Sequence, residues 1–165
     1  YVGEFFNGKA SNGEIFDNSG NIIARYVNGE VVQISKNGVL FNRKVNGKWG
    51  WYENGNENRH AKYVGEIENE KPNGQGTEDS PAGYKYKGEW KDGQYHGIGK
   101  IIFSDGESYQ GEYKFGEMHG KGFYTYSDGR YMIGEWLGGK GWNAKGYDKN
   151  GNLTVEVISG RWISN

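Results

Sequence analysis

The sequence predicts an all-β fold, an elongated single-sheet ribbon or solenoid of stacked antiparallel β-hairpins with a 23-residue period. Three observations predict it. Gly65, Gly88, Gly111 and Gly134 are spaced by 23 residues, and each is followed by a glutamate: Glu66, Glu89, Glu112 and Glu135. Asp-Gly pairs, which close hairpins, recur in "KDG" at 91–93 and "SDG" at 104–106 and 127–129. The composition is low in hydrophobic residues, at 34%, yet holds 13 Tyr, 7 Phe and 6 Trp beside 30 Gly. Disordered chains are poor in aromatics, so this one buries its rings, and a fixed period points to a repeat architecture.

Taken in order, residues 1–29 read as a variant repeat. Glu4, Gly8, Lys9, Asn12, Asp17, Gly20, Asn21 and Gly29 match Glu135, Gly139, Lys140, Asn143, Asp148, Gly151, Asn152 and Gly160 at a constant offset of 131. Residues 135–165 are therefore the same variant. Residues 30–62 are divergent repeats, because Trp49, Trp51 and Tyr52 call for burial and Asn-Gly turns still separate strand-like runs. Residues 63–134 hold the regular repeats. The whole of 1–165 is expected to form one domain of about seven hairpin units.

Within a regular unit one strand runs from Tyr86 to Trp90 and the next from Gly97 to Phe103. Side chains alternate between faces along a strand, so Tyr86, Gly88 and Trp90 share one face, as do Gly97, Gly99, Ile101 and Phe103. Glycine inside a strand marks a place where another group approaches the backbone closely. The glycines are expected to be sockets and the aromatics to fill them, each ring burying on the order of 150–250 Å². The repeated structural positions are Tyr63 and Gly65; Tyr86, Gly88, Trp90, Gly97 and Gly99; Tyr109, Gly111, Tyr113, Gly120 and Gly122; and Gly134 with Trp136. A single hairpin is marginal; stacked neighbours share a continuous core.

The stretches "YKGEWKDGQYHGIGKIIFSDG" and "YQGEYKFGEMHGKGFYTYSDG" resemble MORN repeats, with a Tyr-x-Gly-Glu-Trp opening, a His-Gly-x-Gly middle and an Asp-Gly close. The likeness extends over 63–141. It departs at Asn73, which replaces His, at polar Glu78 and Ser80, and at Met132, which replaces an aromatic. The terminal variant is similar to MORN-like repeats of some bacterial proteins described as antitoxins. The resemblance implies dimerising or assembly roles, with phospholipid surfaces as a second association.

The chemistry expected of the chain is sparse. Net charge is −1 with mixed signs, so no basic stripe exists to displace counterions from phosphates, and nucleic acid is not an expected partner. Cys is absent, which removes disulfides, thiolate nucleophiles and Cys-ligated metals; this suits the cytosol and an exported bacterial protein equally. No apolar run reaches the ~20 residues of a membrane-spanning helix, and a start at Tyr1 rather than Met points to a processed or trimmed chain. His96 and His119 hold the same repeat position, roughly 10 Å apart at two strand spacings, too far to share a zinc at about 2.0–2.1 Å. His60 lies in a polar run. The four repeated glutamates are spaced likewise, and their expected task is to solvate the outer face or pair with Lys87 and Lys100. "DNSGN" at 17–21 and "DKNGN" at 148–152 carry Gly fourth, as a hairpin turn does, rather than sixth as in an EF-hand loop.

No catalytic residue, metal site or cofactor is therefore expected. The expected function is a non-enzymatic protein-binding or assembly scaffold that self-associates end to end, because open sheet edges pair readily with other chains. The alternatives are recognition of a phospholipid membrane surface, and antitoxin-like inhibition of a partner protein. Candidate partner contacts are Trp49, Trp51, Tyr95, Trp142 and Trp162, aromatics placed away from the glycine sockets.

Overall fold

In a computed structural model, residues 2–6, 9–16, 22–33 and 36–164 are described, and their regular structure is entirely strand. The chain divides into two compact units, 1–36 and 37–165. The division falls inside the stretch read as divergent repeats, residues 30–62.

The first unit is a four-stranded antiparallel meander of β1 (Val2–Phe6), β2 (Lys9–Phe16), β3 (Ile22–Val27) and β4 (Glu30–Gln33). Of the residues aligned by the offset of 131, Gly8, Asp17, Gly20 and Asn21 lie outside the described residues.

The second unit begins with β5 (Lys36–Val45), β6 (Lys48–Tyr52), β7 (Ala61–Glu68) and β8 (Lys71–Asp79). It continues with β9 (Lys85–Lys91), β10 (Gln94–Ile102), β11 (Ser108–Lys114) and β12 (Glu117–Thr125). It ends with β13 (Tyr131–Leu137), β14 (Lys140–Tyr147), β15 (Leu153–Ile158) and β16 (Arg161–Ser164). These twelve form one open antiparallel sheet in chain order, except that β5 lies between β6 and β7.

Local turn chemistry explains the order. One set of hairpin tips has two residues with positive φ, as at Asn46–Gly47, Asp92–Gly93 and Ser159–Gly160; this mirror-image turn matches the strand twist. The alternate connections are longer, and the one after β10 is typical. There the Gly106 N–H donates to the Phe103 carbonyl (3.1 Å) and the Phe103 N–H to the Glu107 carbonyl (2.9 Å).

Burial alternates along the strands as period two demands. Tyr86, Gly88 and Trp90 are buried, while Lys85, Lys87 and Lys91 are exposed. The buried face collects Leu40, Tyr63, Ile67, Tyr86, Trp90, Ile101, Tyr109, Tyr113, Met132, Trp136, Ala144 and Val157 into one strip. Ring meets ring along it, edge to face: Tyr63 with Trp90 at 4.9 Å, Tyr86 with Tyr113 at 5.3 Å and Tyr109 with Trp136 at 5.1 Å between centroids.

The socket glycines form a continuous row. Gly65 pairs with Gly76, Gly76 with Gly88, Gly88 with Gly99, Gly99 with Gly111, Gly111 with Gly122 and Gly122 with Gly134. Tyr63, Tyr86 and Tyr109 lie along this row. A Cβ added at Gly99 would stand 2.6 Å from Cζ of Tyr86, and one at Gly122 would collide with the ring of Tyr109 in the same way. Each ring therefore covers a glycine of its own hairpin, rather than one of the neighbouring unit, because Gly88 sits opposite Gly99 and Tyr86 reaches it diagonally. The last unit supports the pairing by losing both halves together: Met132 replaces the tyrosine, and Ala144 stands opposite Gly134 where the other units have Gly.

Candidate binding surface

The phenol oxygens anchor each ring. Tyr63 donates to the Glu66 carbonyl (2.6 Å), Tyr86 to that of Glu89 (2.9 Å), and Tyr109 to those of Glu112 (3.1 Å) and His119 (3.2 Å). Burial first, and the adjacent glutamate second, push these three hydroxyls above the ordinary tyrosine range. They are neutral donors at working pH.

The repeated glutamates have a structural task that differs from solvation or pairing with lysine. The pairing of β9 with β10 slips between His96 and Gly99, leaving Gly97 and Ile98 as a bulge. Glu89 Oε1 accepts the Ile98 N–H at 3.0 Å, and Glu66 and Glu112 accept those of Gln75 and Lys121 at 2.9 Å. Gly97 is required at this bulge: its φ is +53°, and a Cβ would stand 2.8 Å from Oε1 of Glu89. In the terminal units an asparagine instead links the glutamate to the next hairpin tip. Asn143 Nδ2 donates to Glu135 (2.8 Å) while its Oδ1 accepts the Ser159 N–H (2.9 Å); Asn12 does the same with Glu4 (3.4 Å) and the Asn28 N–H (3.1 Å). Glu89→Ala is expected to cost about 1–3 kcal/mol, the range for an orphaned backbone donor. Glu89→Gln, which keeps an acceptor, is expected to cost less; urea unfolding distinguishes the two.

On the buried face a second row crosses the hairpins. Pro72 stands opposite Ile67, Tyr95 opposite Trp90, Met118 opposite Tyr113, Gly141 opposite Trp136 and Trp162 opposite Val157. Tyr95 fills its place by stacking on Tyr86 at 3.7 Å between centroids and donating to Glu78 at 2.7 Å. Gly141 fills nothing. The gap opens into a cleft of about 690 Å³ walled by Met118, Tyr124, Met132, Trp136, Trp142 and Trp162, a size that suits a small ligand or an inserted side chain.

Glu78 is a carboxyl in an aromatic core. It is 5% exposed and receives the Tyr95 and Tyr84 hydroxyls. Burial raises its pKa, and the two hydroxyls oppose the shift. Its repeat equivalents are Ile101 and Tyr124.

The candidate contacts separate into two groups. Trp49 (70% exposed), Trp162 (64%) and Trp142 (40%) are at the surface. Trp51 and Tyr95 belong to the core: Trp51 packs edge-on to Trp90 at 5.6 Å and donates to the Gly93 carbonyl. Sequence reasoning missed Gly141 and the cleft. The signal was available as the fall in size from Tyr95 through Met118 to Gly141 at one step of 23. The opposite face carries Ile98, Ile102, Phe123 and Ile133 exposed, with Lys87 directly across from Lys100. At 148–152 the turn consumes its acid: Asp148 accepts the N–H groups of Asn150 (2.9 Å) and Asn152 (2.8 Å).

An open sheet of hairpins in register, with one side chain per unit locked over a row of glycines, defines a β-hairpin repeat protein. The MORN repeat family matches residues 1–13, 63–83, 86–108 and 109–129. The chain is a MORN-repeat protein, of a non-catalytic repeat family generally associated with protein and membrane binding. No curated protein matches it as a relative.

Proposed function

We propose that the chain is a non-enzymatic protein-binding and assembly module that self-associates end to end through open strand edges. The observation that carries this reading is the way the larger sheet ends. Among the described residues β6 and β16 are its outer strands, and each presents a tryptophan to solvent, Trp49 and Trp162. Unpaired edge groups beside exposed apolar surface are a template for another chain, and tryptophan is enriched among residues that dominate binding.

Light scattering over a concentration series, with crosslinked capture of partners from native lysate, tests it. Growth in mass with concentration is expected. Trp49→Lys and Ile163→Lys, which place charge on the two edges, are expected to suppress that growth without lowering the melting temperature. A monomer at every concentration that also captures no partner sinks the reading.

A second reading, a membrane-surface module, is favoured by Lys87 and Lys100. They face each other across two strands beside Ile98 and Ile102, and no carboxylate lies within ion-pair distance of either among the described residues. Like charges opposed in this way repel, and anionic headgroups would relieve them. Equal sedimentation with neutral and phosphatidylserine vesicles removes this reading.

A further inference from the structure

The cleft at Gly141 and the hairpin tip beside it are unlike their equivalents in the other units, and their peculiarities are complementary. In the row Pro72, Tyr95, Met118, Gly141, Trp162, Gly141 alone contributes no side chain. Tyr95 occupies the same position two units earlier with its ring edge-on to Trp90 at 4.8 Å between centroids, and Trp136 is the equivalent of Trp90 opposite Gly141. At the adjacent tip the first turn residue is Phe115, where other tips have Asn28, Asn46, Asn69, Asp92, Gly138 and Ser159. Phe115 has a φ of +55°, a left-handed conformation that a bulky side chain adopts only under strain. It is 70% exposed, with Lys114 Nζ 5.6 Å from the ring centroid. A strained turn thus holds out a ring next to a vacancy of ring size.

We infer that a second copy of the chain fills the cleft: Phe115 of each copy inserts against Trp136 and Gly141 of the other, about a two-fold axis. A ring and a cleft on neighbouring tips of one surface allow reciprocal exchange, as an isologous interface requires. Charge is complementary as well. Glu117 on the inserting tip and Lys140 on the rim of the cleft have no ion-pair partner among the described residues, and the exchange brings one to the other. Phe115, Trp142 and Trp162 each retain on the order of 100 Å² of exposed ring. Two copies therefore cover about 600 Å² of aromatic surface, which with the polar remainder gives a total near the ~1,200 Å² lower limit of specific interfaces. The result is a weak, concentration-dependent dimer. The inference goes beyond the module reading above, which concerns the sheet edges.

The test is sedimentation equilibrium of the full chain, 18.6 kDa, from about 10 μM to about 1 mM, the range of a weak interface. The wild type is expected to reach at least twice the monomer mass. Phe115→Asn removes the plug and relieves the turn, so it raises the melting temperature by about 2–4 °C and weakens the dimer at least about tenfold, or 1.4 kcal/mol. Gly141→Met fills the cleft with the residue of the preceding unit; its Cβ stands 3.3 Å from the flexible Cε of Met132. It is expected to leave folding intact and to weaken the dimer likewise. Mixing the two variants restores one insertion per pair, so the mixture dimerises more strongly than either alone. A wild type that stays monomeric at about 1 mM, or variants that dimerise as the wild type does, overturns the inference. Association that survives Phe115→Asn and Gly141→Met but falls with Trp49→Lys and Ile163→Lys overturns it while leaving the edge reading standing.

Discussion

Tyr86→Ala lowers stability by about 3–5 kcal/mol, the usual cost of removing a large aromatic from a core. Tyr86 is buried, lies over the Gly88–Gly99 pair and donates to the Glu89 carbonyl, so the substitution removes packing on four sides. Its ring meets Trp90 at 5.3 Å, Tyr95 at 3.7 Å and Tyr113 at 5.3 Å. Gly99→Ala attacks the same contact from the other side. Its Cβ would collide with the phenol, and overpacking of that kind costs about 1–3 kcal/mol. The two losses are not additive, because an alanine at 99 harms nothing once the ring is gone. Urea unfolding of the two single variants and the double variant measures the coupling. A double variant whose loss equals the sum of the single losses would show that ring and glycine do not form a socket.

Glu78→Gln raises stability at pH 7.5 and leaves it unchanged near pH 4. Burial lifts the Glu78 carboxyl above its ordinary value, against the opposing hydrogen bonds of Tyr95 and Tyr84. The folded chain therefore binds the proton more tightly than the unfolded chain does. That contribution is fully present below the unfolded value of about 4.3 and is lost as pH rises through the folded value, where a charge must be held among rings. A glutamine carries no charge to bury, so the gain at pH 7.5 is about 1–3 kcal/mol, the range for an ill-satisfied buried polar group. Thermal melts of both proteins at the two pH values check it. A Glu78→Gln variant that loses stability at pH 7.5 would mean that the two hydroxyls outweigh burial.

The repeat positions were legible because they are written in local chemistry. Tyr86, Gly88 and Trp90 alternate with lysines, so their common face follows from strand geometry alone, and the tip glycines follow from the left-handed turns that hairpins use. The roles of Glu89 and Gly97 were not legible. A bulge is a mismatch between two strands, and nothing in either strand announces that Ile98 loses its partner and takes the carboxylate instead. The packing of Trp51 and Tyr95 was not legible for a related reason: both lie outside the glycine pattern, yet the sheet brings Trp51 against Trp90, 39 positions along the chain.

The sequence by itself determined the period, the alternation of faces, the hairpin turns and membership among β-hairpin repeats, since each depends on residues within a few positions of one another. Only the tertiary structure decided which glycine lies beneath which ring, that Met132 and Ala144 depart together, and that Gly141 leaves a cleft between Met118 and Trp162. Those facts depend on the register between strands. Register is the sum of every bulge and turn along the sheet, and a slip of one residue would send each of these side chains to the opposite face.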